Sequence, residues 1–201
     1  MPAHSQLVLH HLVMKGIADR DALSTCTGLG DQELAAGVAD LLDEALILER
    51  TGRISGFAPT PAGRRAHASA IEHDPLRARR GELADWYSRF ELINAEFKEL
   101  CTAWQLIDGE RINDHADAAY DAAIVARLAD LHARTGGLIC EVADERLGRY
   151  LARLTDAEQA IVSGDARRLT APLCESYHDV WMELHHDLIT SFGRARTAAD
   201  A

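Results

Sequence analysis

The chain has 201 residues, 47% hydrophobic and 26% charged, which supplies one large or two small cores and argues against disorder. Its 32 acids outnumber 21 bases for a formal charge of -11, which excludes a surface that tracks nucleic acid throughout and leaves room only for a local basic patch. Cys26, Cys101, Cys140 and Cys174 form no C-x-x-C pair, so neither a disulfide framework nor a zinc ribbon is expected.

The segment MPAHSQ carries no charged leader, and the apolar run from Leu7 to Met14 is interrupted by His10 and His11. The expectation is a cytoplasmic protein without a signal peptide or membrane span. Residues 5 to 16 fit a first helix with Leu7, Val8, Leu12 and Val13 inward and Gly16 past its end. Asp19 or Asp21 then caps a short helix through Leu23 and Cys26 that ends at the T-G-L-G turn of Gly28 and Gly30. Asp31 is the expected cap of a third helix, with Leu34, Val38, Leu41 and Leu42 at helical spacing. Leu46 to Leu48 and Ile54 to Phe57 read as short strands joined by a tight turn at Gly52. Thr60 and Pro61 open the next helix as its cap and first residue.

The order helix, helix, turn, helix, hairpin, together with VADLLDEALILERTGRISGFAPTPAGRRAH from Val38 to His67, resembles the winged helix-turn-helix of MarR- and PadR-like regulators. The resemblance covers roughly residues 5 to 73 and implies DNA contact through Gln32, Arg50, Arg53, Arg64 and Arg65. The third helix departs from that pattern. Asp31, Glu33, Asp40, Asp43 and Glu44 meet no base between residues 31 and 45, so the helix that would enter the major groove repels phosphate. Residues 1 to 75 hold six bases and ten acids, a balance of -4.

Pro75 stops the helix after the hairpin, which places the division between a winged-helix domain, 1–74, and a helical-bundle domain, 75–201. From Arg77 to Leu106 one long helix of about 45 Å is expected. Its residues Leu83, Trp86, Phe90, Ile93, Phe97, Leu100, Trp104 and Ile107 form a heptad seam that fits a homodimer or an internal core. Residues 107–117 read as a loop. Helices are then expected at 118–134, broken at Gly136 and Gly137, at 138–154, after a Thr155/Glu158 capping box, and from Pro172 to Phe192 with Leu173, Tyr177, Trp181, Leu184, Leu188 and Phe192 inward. The tail TAADA reads as a frayed end.

The fold expectation is therefore mainly α, a winged helix followed by a long helix and a bundle. Trp86, Phe90, Phe97, Trp104, Tyr177 and Trp181 are the candidates for an effector pocket or dimer seam. His178 and His185, seven apart, share a stripe on which His132, His115 and Asp117 can converge, so a metal ion on His132, His178 and His185 is a further candidate, although no H-E-x-x-H spacing occurs. The segment S-Y-H-D-V-W-M-E-L-H, residues 176 to 185, is similar to helical regions of actinobacterial proteins linked to phosphoenolpyruvate-utilising enzymes. No phosphate loop or G-x-S-x-G is present, and neither an enzymatic activity nor a cofactor is expected. The leading expectation is a homodimeric DNA-binding regulator with a small-molecule effector. The alternative is a winged helix turned protein-interaction module, an adaptor or regulatory subunit of an enzyme.

Overall fold

Polar caps and left-handed turns mark out the first elements of the computed structural model, which describes residues 1–172 and 174–194. They are α1 (Ala3–Lys15), α2 (Arg20–Thr27), α3 (Asp31–Asp43), β1 (Ile47–Arg50), β2 (Gly56–Pro59), α4 (Pro61–Ile71) and α5 (Pro75–Ala78). Asp19 accepts from the Ala22 amide at 2.9 Å, and Gly28 closes α2 in the left-handed region. At α3 the cap is Gly30 and not Asp31, which is the first helical residue and faces the positive end of the helix dipole. Thr60 caps α4 through the Gly63 amide at 3.1 Å, with Pro61 next to it.

The remaining elements are α6 (Ala84–Gln105), β3 (Leu106–Ile107), β4 (Arg111–Ile112), α7 (Ala118–Cys140), α8 (Glu145–Val162), α9 (Arg167–Thr170) and α10 (Tyr177–Phe192). The chain is mainly helical, and its strands form two separate two-stranded antiparallel sheets. The expected Leu173 and TAADA positions lie outside the described residues. Two compact units are present, Met1–Arg80 with the chain from His185 onward, and Gly81–Leu184. The expected division after residue 74 left all of α10 in the back half. Its last two turns belong instead with the first unit, where Asp187 meets His10 at 2.8 Å and Arg77 donates to the Thr190 carbonyl at 3.4 Å.

In the first unit α1 packs against α2, α3, α4 and β2. Val8, Leu9 and Leu12 of α1 join Leu23, Leu34, Val38, Leu41, Ile47 and Phe57 in one apolar cluster. Leu7 and Leu42, both expected inward, are half-buried and exposed respectively. The hairpin pairs Ile47 with Pro59 and Arg50 with Gly56, and a bridge ties Phe57 to Ala18. Two close approaches need glycine. A Cβ on Gly56, at φ +146, would come within 2.6 Å of the Ala18 carbonyl oxygen, and one on Gly63 within 2.0 Å of the Leu46 carbonyl oxygen.

The second unit departs from the sequence expectation in three places. The long helix is two elements: α5 ends at Ala78, and α6 has 22 residues, about 33 Å. Gly136 and Gly137 do not break α7. Each costs about 1 kcal/mol against Ala in a helix, yet packing of α7 on α6 and α8 retains the turn. The break falls instead at residues 141–144, where Ala143 takes φ +52 and Asp144 caps α8 through Leu147. Thr155 therefore starts no helix; its hydroxyl donates to the Leu151 carbonyl within α8. The apolar face of α6 lies inside the unit, with Trp86, Phe90, Phe97 and Leu100 no more than 3% exposed.

Gly63→Ala tests the close approach of α4 to Leu46, because that clash is with backbone that cannot rotate away. The variant is expected to lose at least about 2 kcal/mol of stability by urea denaturation, whereas Gly148→Ala, with open space at its Cβ, is expected to be neutral or stabilising.

Candidate functional site

In the first unit, the residues that the sequence assigns to partner contact are all on the surface. Gln32 on α3, Arg50 on β1, Arg53 in the hairpin turn, and Arg64 and Arg65 on α4 are exposed. Ser55 orders that turn, donating to the Gly52 carbonyl at 3.1 Å and accepting from its amide at 3.3 Å. Arg20 stacks its guanidinium over the Phe57 ring at 5.4 Å.

The exposed face of α3 is acidic and small. It presents Asp31, Glu33, Ala35, Ala36, Ala39 and Asp43, followed by Glu44 at the C-cap. Asp40 is tied back to α1, where Ser5 donates to it at 2.9 Å and His4 lies 3.5 Å away. Asp31 and Glu33 stand at the end of α3 where the dipole favours anions. Asp43 and Glu44 stand at the opposite end, where anions are disfavoured by about 0.3–1 kcal/mol each, and no base lies in that last turn. Helix stability accounts for the first pair and not for the second.

Beneath this surface lies a buried polar chain that the sequence pattern conceals. His10 Nε2 is 2.8 Å from Asp187, His10 Nδ1 is 3.0 Å from His67 Nε2, and Ser191 donates to the other Asp187 oxygen at 3.0 Å. His11 packs edge-on against His10 with ring centroids 5.4 Å apart. All these side chains are buried. His10, His67, Asp187 and Ser191 hydrogen-bond one another and fix the last turns of α10 on α1 and α4.

In the second unit five of the six aromatic candidates, Trp86, Phe90, Phe97, Tyr177 and Trp181, form an interior stack, while Trp104 packs on His115. Phe90 lies 5.6 Å from Trp181, Phe97 lies 4.6 Å from Trp181, and Phe97 lies 5.4 Å from Tyr177, all between ring centroids. Trp86, Phe90, Phe97, Trp104, Tyr177 and Trp181 are at most 5% exposed, so their own chain covers them. The polar ends of Trp86, Trp181 and Tyr177 find partners. Trp86 donates to the Leu138 carbonyl at 2.7 Å and Trp181 to Asn94 at 2.8 Å. The Tyr177 hydroxyl meets His132 Nδ1 at 3.3 Å.

The three histidines proposed for a metal are held apart in function. Between Tyr177 on one ring nitrogen and Thr155, 3.2 Å from the other, His132 is fully engaged. Because Thr155 donates to Leu151, it accepts from His132 Nε2–H, which leaves Nδ1 to accept from Tyr177. His178 faces the edge of the aromatic stack, 6.3 Å from Phe97, and His185 belongs to the first unit. Among the described residues neither His132 nor His178 joins a group of three close ligands. His115 and Asp117 go elsewhere: Asp117 caps α7, and His115 packs on Trp104 at 4.5 Å with Nδ1 3.0 Å from Asp121. His115 takes φ +59, held there by the buried Asn113, whose side chain accepts from its amide at 3.0 Å and donates to Asp121 at 2.9 Å.

Two further ionic features escape the motif-based reading. Arg153 on α8 is buried and forks to Glu183 at 2.9 and 3.1 Å while also meeting Glu175 at 2.7 Å. Between α6 and α7 lies a surface groove of about 360 Å³ lined by Glu96, Leu100, Arg127, Asp130, Leu131 and Arg134. The spacing of Arg127, Asp130 and Arg134, at i, i+3 and i+7, was the available signal for a shared helix face. Burial also pushes the Cys101 thiol up to about 12, which leaves it protonated and unreactive.

No family model, curated protein or solved structure matches this chain. Among the described residues no helix is long and apolar enough to cross a membrane.

Arg153→Ala leaves Glu183 buried without its counter-charge and is expected to cost about 3–5 kcal/mol in denaturant unfolding. His132 supplies a pH test. Burial lowers its pKa from 6.5, with Glu158 opposing more weakly. The unfolded chain therefore binds this proton first as pH falls, so stability declines below about 6.5 and levels off once the folded imidazole protonates. In His132→Gln this part of the decline is absent, and thermal melts between about pH 7.5 and 5.5 are expected to fall less steeply than in the parent chain.

Proposed function

We propose that the chain is a cytoplasmic regulatory protein whose first unit is a winged helix-turn-helix used to dock a protein partner. In this role the chain serves as an adaptor or as the regulatory subunit of an enzyme. The order α1, α2, α3, hairpin supports the winged-helix assignment, with β1 and β2 as the wing. The observation that carries the choice of partner is the α3 surface. Its exposed acids include Asp43 and Glu44, which oppose the helix dipole and have no base within the helix. In a major groove they would lie within a Debye length, about 8 Å, of phosphates and be repelled. Against a basic protein surface the same charges steer association and set register. Ala35, Ala36 and Ala39 give that face a low profile suited to close packing.

A second reading, a DNA-binding transcriptional regulator led by the wing, is favoured by the exposure of Arg50 and Arg53 on the hairpin and Arg64 and Arg65 on α4. Four such cations are a small phosphate footprint, and Gln32 is the one exposed α3 side chain of base-reading type. The homodimer expected from the α6 seam loses that support, because the seam is internal.

The test is charge reversal on α3. The full chain should retain one specific protein partner in cross-linked pull-downs, with retention falling as salt rises. Asp43→Lys combined with Glu44→Lys is expected to weaken it about tenfold or more, and Arg50→Ala with Arg53→Ala to leave it unchanged. Equal capture by the α3 variant and the parent chain would overturn the assignment.

A further inference from the structure

We propose that the groove between α6 and α7 binds a single free amino acid with an apolar side chain, as the effector of the helical unit. This goes beyond the docking role and stands whether the first unit meets protein or DNA.

The groove has an apolar floor and a divided charge. Leu100 and Leu131, 1% and 2% exposed, form the floor with Ala126 beside them. On one side Arg134 forks onto both oxygens of Glu96 and donates through Nε to Asp130 Oδ2 at 3.1 Å. That linked trio holds two acids and one base, a net charge of -1. Both Glu96 oxygens accept from Arg134, and its carboxyl is held below the usual range chiefly by the Arg134 hydrogen bonds, with the charges of Arg134 and Arg127 adding to them. Asp130 keeps Oδ1 open to solvent and is 74% exposed. Arg127 stands three residues before Asp130 on the same face of α7, and its guanidinium makes no hydrogen bond or ion pair among the described residues.

One unpaired cation and one half-used carboxylate, a helical turn apart above an apolar floor, are matched by an α-amino acid. Its carboxylate takes the planar fork of Arg127, its ammonium meets Asp130 Oδ1, and its side chain covers Leu100 and Leu131. A simple anion would satisfy Arg127 but face Asp130 and Glu96, and a simple cation would face Arg127. The volume of about 360 Å³ sits at the small end of the roughly 300–1,000 Å³ typical of small-molecule sites, which selects a ligand of one residue over a peptide or nucleotide.

The test is isothermal titration of the full chain with L-leucine and L-phenylalanine beside their N-acetyl and carboxamide derivatives. Saturable binding by at least one free amino acid is expected, with both derivatives about tenfold weaker or more because each lacks one charge. Arg127→Ala and Asp130→Asn, both on the surface, are each expected to weaken binding about tenfold or more with an unchanged circular dichroism spectrum, and Ala126→Trp to abolish it by filling the groove. Three results would overturn the proposal: no saturable binding up to about 10 mM, undiminished binding to Arg127→Ala, or equal binding of the blocked derivatives, which would mark the groove as a hydrophobic cleft only.

Discussion

Phe97 and Trp181, their rings 4.6 Å apart, are the contact on which the helical unit depends. One belongs to α6 and the other to α10, 84 residues later, so the stack closes the unit over most of its length. A fully buried Phe contributes about 1.5–3 kcal/mol by area, and five buried aromatic side chains share this stack. Its constraint is polar. Indole and phenol groups taken out of water need partners, and Leu138, Asn94 and His132 are where they find them. Those partners fix the rotation of α7 relative to α6, and with it the face that carries Arg127, Asp130 and Arg134.

Charge plays the organising role in the first unit that aromatic packing plays in the second. Its buried carboxylate Asp187 meets His10, and the half-buried Asp40 meets Ser5 and His4. The exterior charges at the end of α3 and on the hairpin are not matched within those elements. Asp43 and Glu44 work against the helix that bears them, and Arg50 and Arg53 project from a hairpin without acids in the turn. A surface that carries unfavourable charge at no evident structural gain is best explained by what it meets, which is why the α3 face and not the core directs the functional reading.

Local chemistry was legible from the residues. Asp19 and Thr60 cap the helices that their neighbours begin, Gly28 ends α2, and the hairpin follows from Gly52 between two short apolar runs. Where tertiary packing overrode local preference, the reading failed. Gly136 and Gly137 resemble a break but stay helical because α7 is clamped on both sides, and the single helix expected from Arg77 to Leu106 is interrupted by a turn at residues 79–83. The heptad seam fixed which α6 residues are buried and was silent on what buries them, since an aromatic from α10 satisfies the pattern as well as one from a second copy. His10 and His11 interrupt an apolar run on paper; the residue that makes His10 a core side chain is Asp187, 177 positions away. The groove charges lay in plain spacing on α7, but their significance rests on which of them α6 neutralises, and that is not a property of α7.

The claim that α3 meets protein and not nucleic acid is tested most directly by fluorescence anisotropy of the full chain with duplex DNA from its own upstream region, titrated from about 20 to 200 mM salt. With acids along α3 and only Arg20, Arg50, Arg53, Arg64 and Arg65 exposed around the wing, the expected result is weak, sequence-independent binding that vanishes by physiological salt. Tight, sequence-specific binding at that salt, lost in Arg50→Ala with Arg53→Ala, would contradict the account and make the wing the functional surface of this protein.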